Sequence, residues 1–242
     1  MKKTEKKIVQ WIKEKIKSTG AKGLIFGLSG GIDSAVVAAL CEKAAGKNHI
    51  ALMLPCQSSK LSITDAMALV RKLGLRAKKI DLTPIYDCAL KTLGKANELA
   101  KANLKARLRM ITLYYHANNF NYLVVGTGNL SEFVMGYFTK YGDGGVDILP
   151  IADLLKSQVR DLAKSLGIPN AIIEKAPTAD LWAGQTDEQE MGLTYEQLDK
   201  TISFLKKGGK CSVPKGIINK VKKMIKNSEH KRIMPQICKI NI

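Results

Sequence analysis

Short apolar runs and longer helical stretches alternate through the first third of the chain. The runs "GLIFGLS", "HIALMLP" and "RAKKIDL" have the length and composition of buried strands. Two helical stretches lie between them, "SAVVAALCEKAAG" and "TDAMALVRKLG", and each ends in a glycine suited to the position after a helix. We expect Thr64 to cap the second of these helices at its N-terminus. This order predicts a parallel sheet with right-handed crossovers.

The middle of the chain predicts more helix and one further strand. A long helical region runs from about Pro84 to Asn118, with a break expected near Gly94, and the strand "YLVVGTGN" follows it. After a loop rich in Gly and Asp, "IADLLKSQVRDLAKSLG" has the spacing of an amphipathic helix that ends at Gly167. The alternation of strands and helices therefore continues past the first third.

The last part predicts two helices and no separate domain. Thr194 and Gln197 have the spacing of a capping box, and Pro214 stands where a final helix would begin. We find no internal repeat, low-complexity segment or linker. The whole pattern predicts a single domain over residues 1–242, an α/β fold with a doubly wound, Rossmann-like parallel sheet flanked by helices.

The N-terminal stretch has an apolar face of its own. Ile8, Trp11, Ile12 and Ile16 fall on one side of a predicted helix that is otherwise rich in lysine. This face could pack on the domain or on a second subunit, and a helix lying on a membrane surface is the alternative. The stretch lacks the apolar core of a signal peptide, and no apolar run is long enough to predict a membrane span.

Charge and cysteine content narrow the class of protein. The 242 residues include 39 basic and 21 acidic side chains, a net charge of +18. Such a charge attracts polyanions, such as nucleic acid, acidic membranes or phosphorylated small molecules, but lysines spread over helix faces can equally be solvated surface. Five scattered cysteines without a CxxC pair argue against a disulfide framework or a zinc site, and predict a cytoplasmic protein. They are Cys41, Cys56, Cys88, Cys211 and Cys238.

The stretch "LSGGIDS" joins the first strand to its helix and is the first candidate site. Ligands bind at the carboxyl ends of parallel strands, and free amides at a helix N-terminus can hold phosphate. Gly30 and Gly31 allow a close approach to the backbone, while Ser29 and Ser34 add hydroxyl groups. No lysine follows the glycines, so this is not a Walker A loop, and the GxGxxG fingerprint is absent too. Asp33 beside phosphates suggests a Mg²⁺ ligand, although it could instead favour the helix dipole.

These residues carry a resemblance to a known family. "SGGIDS" is similar to the SGGxDS loop of the ATP pyrophosphatases, which share an adenine nucleotide alpha hydrolase-like fold and cleave ATP between its α- and β-phosphates. The stretches "GTGNLSEFVMGYFTKYGDGGVDILPIADLLKSQVR", "APTADLW…QTDEQEMGLTYEQLD" and "EHKR" resemble ammonia-dependent NAD synthetase, in order and over most of the chain. One departure is "GTGNLSE", where some relatives have "GTDHAAE"; the glutamate is kept, and the residues beside it differ.

The resemblance implies a role for particular residues. Asp33 and Glu132 would hold Mg²⁺. ATP would contact Gly27, Leu28, Ser29, Gly30, Gly31, Ile32, Asp33, Ser34, Thr127, Lys156 and Thr178. Deamido-NAD would contact Arg107, Lys140, Asp147, His230 and Lys231. Since Arg107 and Arg109 stand two apart on a helix, they face different ways, and we expect only one of them to reach the substrate.

The reaction implied by the resemblance is an amidation driven by ATP. The nicotinate carboxylate of deamido-NAD attacks the α-phosphate, which gives an adenylate and pyrophosphate, and ammonia then displaces AMP to form NAD. Asp33 and Lys156 would be catalytic, and Asp143 is a candidate to deprotonate ammonium or to close the site. The expected partners are ATP, deamido-NAD and ammonia, and neither nucleic acid nor a membrane.

Assembly and nitrogen source follow from the same resemblance. The family forms homodimers, for which the apolar face of the first helix and the long helix around Arg107 offer surface. Glutamine-dependent relatives carry a large amidase domain, and 242 residues leave no room for one. A separate glutaminase partner stays open.

Other interpretations compete with this one. A tRNA-modifying ATP pyrophosphatase would use the basic charge, but it leaves "YFTKYGDGG" and "PTADLW" unexplained. A nucleotide-binding module of the stress-protein type would need no catalysis, and it would not require Glu132, Lys156 and the Gly-Asp loop alongside Asp33. Individual residues also have simpler explanations. Glu132 could be a solvated acid at a helix start, Lys156 and His230 could be surface residues, and Asp143 could serve only in a turn.

Overall fold

A four-stranded parallel sheet organises the part of the chain that the structure describes. The computed structural model describes residues 1–178, 182, 184, 186–209 and 212–240. The sheet has the order β3-β2-β1-β4. Its strands are β1 (Gly23–Gly27), β2 (His49–Met53), β3 (Ala77–Lys79) and β4 (Tyr122–Val125). In register, Phe26 of β1 pairs with Ala51 of β2 and with Val125 of β4.

Helices connect and cover the strands. Their bounds are α1 Lys2–Thr19, α2 Ile32–Ala45, α3 Lys60–Leu73, α4 Thr83–Leu93, α5 Glu98–Phe120, α6 Leu130–Met135, α7 Lys156–Ser165, α8 Asn170–Ile173, α9 Asp187–Met191, α10 Tyr195–Lys207 and α11 Lys215–Asn227. A short 3₁₀ turn, Glu229–Lys231, follows α11.

Side chains that alternate along the strands divide the core between the two faces of the sheet. Leu24 and Phe26 of β1 pack on one face with α1, α2 and α7, whereas Ile25 packs on the other with α4 and α5. A third cluster joins α6, α9, α10 and α11 beside the sheet. The predicted α/β fold, with a parallel sheet flanked by helices, is confirmed.

Most of the predicted helix boundaries are confirmed. The break near Gly94 separates α4 from α5, Thr194 and Gln197 form the capping box of α10, and Pro214 immediately precedes α11. Tertiary packing thus agrees with the local signals at these positions.

Two boundaries differ from the prediction. Ser59, not Thr64, caps α3: its hydroxyl accepts from the Ser62 amide at 3.3 Å, whereas the Thr64 hydroxyl donates to the Lys60 carbonyl within the helix. The start at Thr64 was wrong because a serine with extended backbone stands earlier and already completes the cap. Likewise α7 begins at Lys156 and not at residue 151, since the preceding apolar residues form turns.

The first helix packs on the domain itself. Ile12 is fully buried, and Ile8, Trp11 and Ile16 pack against the same core, beside α2 and α7. An ion pair of 2.6 Å between Glu5 and Lys43 fastens α1 to α2. The apolar face is therefore occupied within the chain, which corrects the expectation that it could serve a dimer interface.

Two further findings concern membranes and cysteines. In the described ranges, no helix combines the length and the apolar character needed to cross a bilayer. Cys41 and Cys56 are buried free thiols, and Cys88 and Cys238 are exposed ones. Cys211, and residues 179–181 of the "PTADLW" segment, lie outside the described residues.

Candidate active site

A cavity of about 400 Å³ opens at the carboxyl ends of β1, β2 and β4. Its walls come from the loops after these strands, from α5 and from the segment between α8 and α9. Parallel sheets bind ligands at this end because the loops converge there. The "LSGGIDS" loop forms one wall.

The loop after β1 leaves helix amides available to an anion. Gly31 is the N-cap of α2 and supplies no side-chain acceptor for the amides of the first turn. Gly30 has φ of +81°, and a Cβ on it would lie 2.5 Å from the Ser62 carbonyl oxygen, so the turn requires glycine. The Ser29 and Ser34 hydroxyls lie 3.0 Å apart and fix the loop internally. Free amides at a helix N-terminus can hold phosphate, and the phosphate site at this loop stays a prediction.

Three charged side chains from distant parts of the sequence meet at this loop. The Lys156 ammonium, on a residue only 1% exposed, contacts the Asp33 carboxylate and lies 3.1 Å from Glu132 Oε1. The Asn129 amide donates to the other Asp33 oxygen at 2.9 Å. Asn129 also caps α6, the helix that carries Glu132. The simpler explanation of Lys156 as a surface residue is therefore wrong.

The donor set fits a Mg²⁺ ion shared with phosphate. The carboxylates of Asp33 and Glu132 converge on one cation-sized position, which the ammonium marks, and both line the cavity. Mg²⁺ commonly takes one or two carboxylates and completes its shell with phosphate oxygens and water. Within the residues described, no group of three or more His, Cys, Asp or Glu side chains is placed to hold a metal. The assignment of Asp33 and Glu132 to magnesium therefore stays a prediction, in which a bound phosphate and water would complete the shell.

Two tyrosines and two further acids lie behind the charged cluster. The Tyr195 hydroxyl donates to Asp187 at 2.9 Å and lies 3.2 Å from Glu132 Oε1. The Tyr137 hydroxyl lies 2.7 Å from Glu190 Oε2 and 3.3 Å from Asp187 Oδ1. Asp187 and Glu190 line the cavity and come from the short helix α9.

Burial and mutual charge set the proton affinities of the cluster. Burial raises the pKa of Glu132 to about 7, although Lys156 opposes the shift. Burial also raises the pKa of Asp187. For Lys156, burial lowers the pKa, but Asp33 and Glu132 outweigh burial and leave the pKa raised. Lys156 therefore remains charged between the two carboxylates.

The Gly-Asp loop forms the opposite wall. Asp143 accepts from the Thr139 amide at 2.9 Å, and Lys231 donates to the carbonyls of Gly136 and Phe138 at 2.7 and 2.8 Å. Asp143 and Lys231 both line the cavity. Asp143 is an exposed residue, and the loop atoms around its carboxyl raise its pKa, an effect that the Thr139 amide and Lys231 oppose. Asp143 thus holds the turn at Thr139 and also faces the cavity that the phosphate loop lines, so its chemical role stays a prediction.

The residues predicted to contact ATP come together, and those predicted to contact deamido-NAD do so only in part. Thr127, Thr178 and most of the loop from Gly27 to Ser34 line the cavity with Lys156. Of the second set, Lys231 lines the cavity. Arg107, Lys140, Asp147 and His230 lie outside it.

These outer residues contact one another or the sheet. Arg107 Nη2 lies 3.4 Å from the Lys140 carbonyl oxygen, and the Lys140 ammonium donates to the His230 carbonyl. The Asp147 carboxylate accepts from the Val124 amide at 2.7 Å and from a tyrosine hydroxyl at 2.9 Å. Asp147 therefore has a structural task at the end of β4 in addition to any contact with a ligand.

Of the two neighbouring arginines, Arg109 faces the cavity. It donates to the Leu54 carbonyl at 3.1 Å and to the Ser58 hydroxyl at 3.2 Å, which ties α5 to the loop after β2. The expectation that only one of the pair points into the site agrees with this placement, but the residue in the cavity is not Arg107.

The sequence of this chain is similar to those of known proteins. Residues 4–235 match the family model described as NAD synthase. The chain belongs to the NAD synthase family. It is 48% identical over 226 residues to the NH(3)-dependent NAD(+) synthetase of Finegoldia magna, with 93% of this chain and 91% of that protein covered.

Two solved structures share the fold. An NMN synthetase from Francisella tularensis is similar, with a TM-score of 0.93, 38% identity and coverage of 99% of this chain and 98% of that one. The NH3-dependent NAD synthetase from Campylobacter jejuni has a TM-score of 0.86 and 33% identity, with 98% of each chain covered.

Sequence analysis missed the residues behind the charged cluster. Asp187, Glu190 and Tyr195 of this NAD synthase family member stand in "QTDEQEMGLTYEQLD", which was interpreted only as a family motif and a helix cap. The acids at i and i+3 of "DEQE" were an available signal, because that spacing places both on one face of a helix.

Proposed function

We propose that this chain is an ammonia-dependent NAD synthetase that amidates deamido-NAD at the expense of ATP. The observation that carries the proposal is the meeting of Asp33, Glu132 and Lys156 at the phosphate loop. Membership of the NAD synthase family supports this reaction, and we infer that the carboxylate is first adenylated. A tRNA-modifying enzyme is not favoured, since the chain matches NAD synthase over residues 4–235.

Adenylation gives the substrate carboxylate a better leaving group. A carboxylate cannot release oxide to ammonia, but its adenylate can release AMP. The bond between the α- and β-phosphates breaks as the carboxylate oxygen attacks, and negative charge grows on the departing pyrophosphate. Amides of the α2 N-terminus and the Lys156 ammonium would offset that charge in a partly enclosed site. Their role is electrostatic, and no nucleophilic side chain is required.

Two carboxylates would hold magnesium, and a third carboxylate, that of Asp143, would serve the second half of the reaction. Asp33 and Glu132 would bind Mg²⁺, which supplies charge neutralisation for the phosphates when bound. Asp143, on the opposite wall, would accept a proton from ammonium so that neutral ammonia can attack. Asp143 lines the same cavity as the phosphate loop, which places a carboxylate in the space that ammonium would enter.

The outer residues would extend the site for the long dinucleotide. Arg107, Lys140, Asp147 and His230 would bind the part of deamido-NAD that reaches beyond the cavity, with Lys231 at its rim. Because these residues lie on an open surface, a second subunit is a natural complement to the site.

An exposed apolar surface on α4 and α5 supports a homodimer. Ile111 and Tyr115, four residues apart on one face of α5, are 57% and 66% exposed, and Ile85 on α4 is 54% exposed. We place the dimer interface here, around the long helix, and not on α1. The chain would act as one domain over residues 1–242 in the cytoplasm, with free ammonia or a separate glutaminase as nitrogen source.

A second candidate substrate comes from one structural neighbour. The chain's similarity to an enzyme named NMN synthetase has a TM-score of 0.93. By the same chemistry, the carboxylate to be amidated could belong to a mononucleotide instead of a dinucleotide. The phosphate loop and the charged cluster would serve both substrates equally.

One assay separates these activities. The protein is incubated with ATP, Mg²⁺ and ammonium, together with deamido-NAD, nicotinate mononucleotide or tRNA. We expect NAD, AMP and pyrophosphate in equal amounts with deamido-NAD. A higher kcat/KM with the mononucleotide would assign the second candidate. ATP left intact with both nucleotides, or cleaved only with tRNA, would contradict the proposal.

A further inference from the structure

An ion pair lies at the edge of the phosphate loop. It belongs neither to the "LSGGIDS" motif nor to the charged cluster. Lys175 Nζ is 2.7 Å from Asp65 Oδ2, and both side chains are 19% exposed. Asp65 belongs to α3, and Lys175 lies between α8 and α9, three residues before Thr178. The pair joins segments that are 110 residues apart in sequence.

The location of Asp65 places this pair beside the phosphate loop. A Cβ on Gly30 would lie 2.9 Å from Asp65 Cβ, so the first turns of α3 pack directly against the glycine turn. Lys175 lines the cavity together with Gly31 and Ser62. The Lys175 ammonium is therefore held at the rim of the cavity, near the free amides of the α2 N-terminus that can bind an anion.

The other cavity cations in the described ranges have different surroundings. Lys156 lies between two carboxylates, Lys231 donates to two carbonyls, and Arg109 donates to a carbonyl and a hydroxyl. Lys175 is paired with a single carboxylate at the cavity edge. A phosphate oxygen can replace that carboxylate with little loss, because both accept charge-assisted hydrogen bonds and lysine has a long flexible stem.

We propose that Lys175 is a phosphate-binding residue of the ATP site, kept at the loop by Asp65 until ATP arrives. On binding, its ammonium passes from Asp65 to the β- and γ-phosphates and remains with the pyrophosphate after adenylation. This transfer also draws the segment around Thr178 toward the phosphate loop. The inference deepens the proposed function, in which ATP is the substrate.

Four variants test the inference. Lys175→Met removes the charge, Lys175→Arg keeps it, and Asp65→Asn removes the carboxylate that holds the ammonium. The matched control is Lys43→Met, which breaks the 2.6 Å ion pair between α1 and α2 on the far side of the core. ATP and pyrophosphate binding are measured by calorimetry, and the thermal melt of each variant establishes that it is folded.

The expected result is a specific loss of phosphate affinity. Lys175→Met should weaken binding of ATP and of pyrophosphate by about tenfold or more, as loss of a hydrogen bond to a charged group predicts. The KM for deamido-NAD should stay within twofold, Lys175→Arg should recover most of the affinity, and Asp65→Asn and Lys43→Met should bind ATP as the wild type does.

Two outcomes would overturn the inference. Folded Lys175→Met protein that binds ATP and pyrophosphate with wild-type affinity would show that Lys175 does not reach the phosphates. An equal loss in Asp65→Asn would show that the pair only supports the shape of the loop. Because calorimetry needs no turnover, wild-type protein that binds ATP but forms no NAD would contradict the proposed function and leave this inference standing.

Discussion

Lys156 at the start of α7 lies 3.1 Å from Glu132 on α6, and its ammonium also contacts Asp33 at the start of α2. Three helix N-terminal segments thus meet through one buried cation. The ammonium holds the two acids close together beside the phosphate loop. In the proposed reaction it would lie near the departing pyrophosphate.

Replacing Lys156 with Met should abolish most of the activity. The change leaves two carboxylates facing each other and removes the cation beside the leaving group. We expect kcat to fall about a hundredfold or more, as for loss of an electrostatic donor. Stability should fall by up to about 3 kcal/mol, since one partner of a buried pair is removed. Steady-state kinetics and urea unfolding check both values.

The control for this variant is Lys164→Met, an exposed lysine on the same helix. Its kinetics and its unfolding midpoint should match those of the wild type. Wild-type kcat in folded Lys156→Met protein would refute a catalytic role for the ammonium.

Asp199 on α10 should act as a positioning residue for Lys156. Its buried carboxylate accepts from the Ser131 hydroxyl at 2.5 Å and from the Ser157 amide at 2.9 Å, and the same hydroxyl accepts from the Lys156 amide at 3.0 Å. Asp199→Ala should cost about 2 kcal/mol of stability, because buried donors lose their acceptor. It should also lower kcat more than it raises the KM for ATP.

Asp199→Asn keeps one acceptor oxygen and should recover part of kcat. Glu196→Ala removes an exposed acid of the same helix and serves as the control. If Asp199→Ala loses stability but keeps full kcat at a temperature where it is folded, the carboxylate is structural only.

Asp143→Asn should separate the two halves of the reaction. Without a proton acceptor on that wall, transfer of ammonia should slow by about a hundredfold, whereas formation of the adenylate should continue. Rapid-quench measurements without ammonium report the first step, and a chase with ammonium reports the second. Asp153→Asn, on an exposed residue, is the control. Equal rates in both steps would exclude the role.

Asp143 should also leave a signature in the pH dependence of stability. Its folded pKa is raised above the ordinary 3.8, so the folded state binds the proton more tightly than the unfolded state does. This contribution is fully present below the ordinary pKa and is lost as pH rises through the folded value. Urea midpoints of wild type should therefore fall relative to Asp143→Asn over that window. A rise, or parallel curves, would contradict the assigned direction.

The sheet and the phosphate loop could be predicted from local sequence. The contacts that distant residues make in the buried part of the site could not. Strand periodicity and the glycine turn around Gly30 depend on neighbouring residues. The caps of α3 and α7 were misplaced because several serines and an apolar run fit more than one start. Contacts of Lys156 with Asp33, 123 residues away, and the burial of Asp187 under Tyr195 depend on packing between helices that no local pattern records.

The most direct test of the account follows the oxygen atoms of the carboxylate. Deamido-NAD labelled with ¹⁸O in its nicotinate carboxylate is converted with ATP, Mg²⁺ and ammonium, and AMP and pyrophosphate are analysed by mass spectrometry. Attack of the carboxylate on the α-phosphate predicts one ¹⁸O in each AMP and none in pyrophosphate, with no transfer in Asp33→Asn protein. Unlabelled AMP formed together with NAD, or label in pyrophosphate, would contradict it.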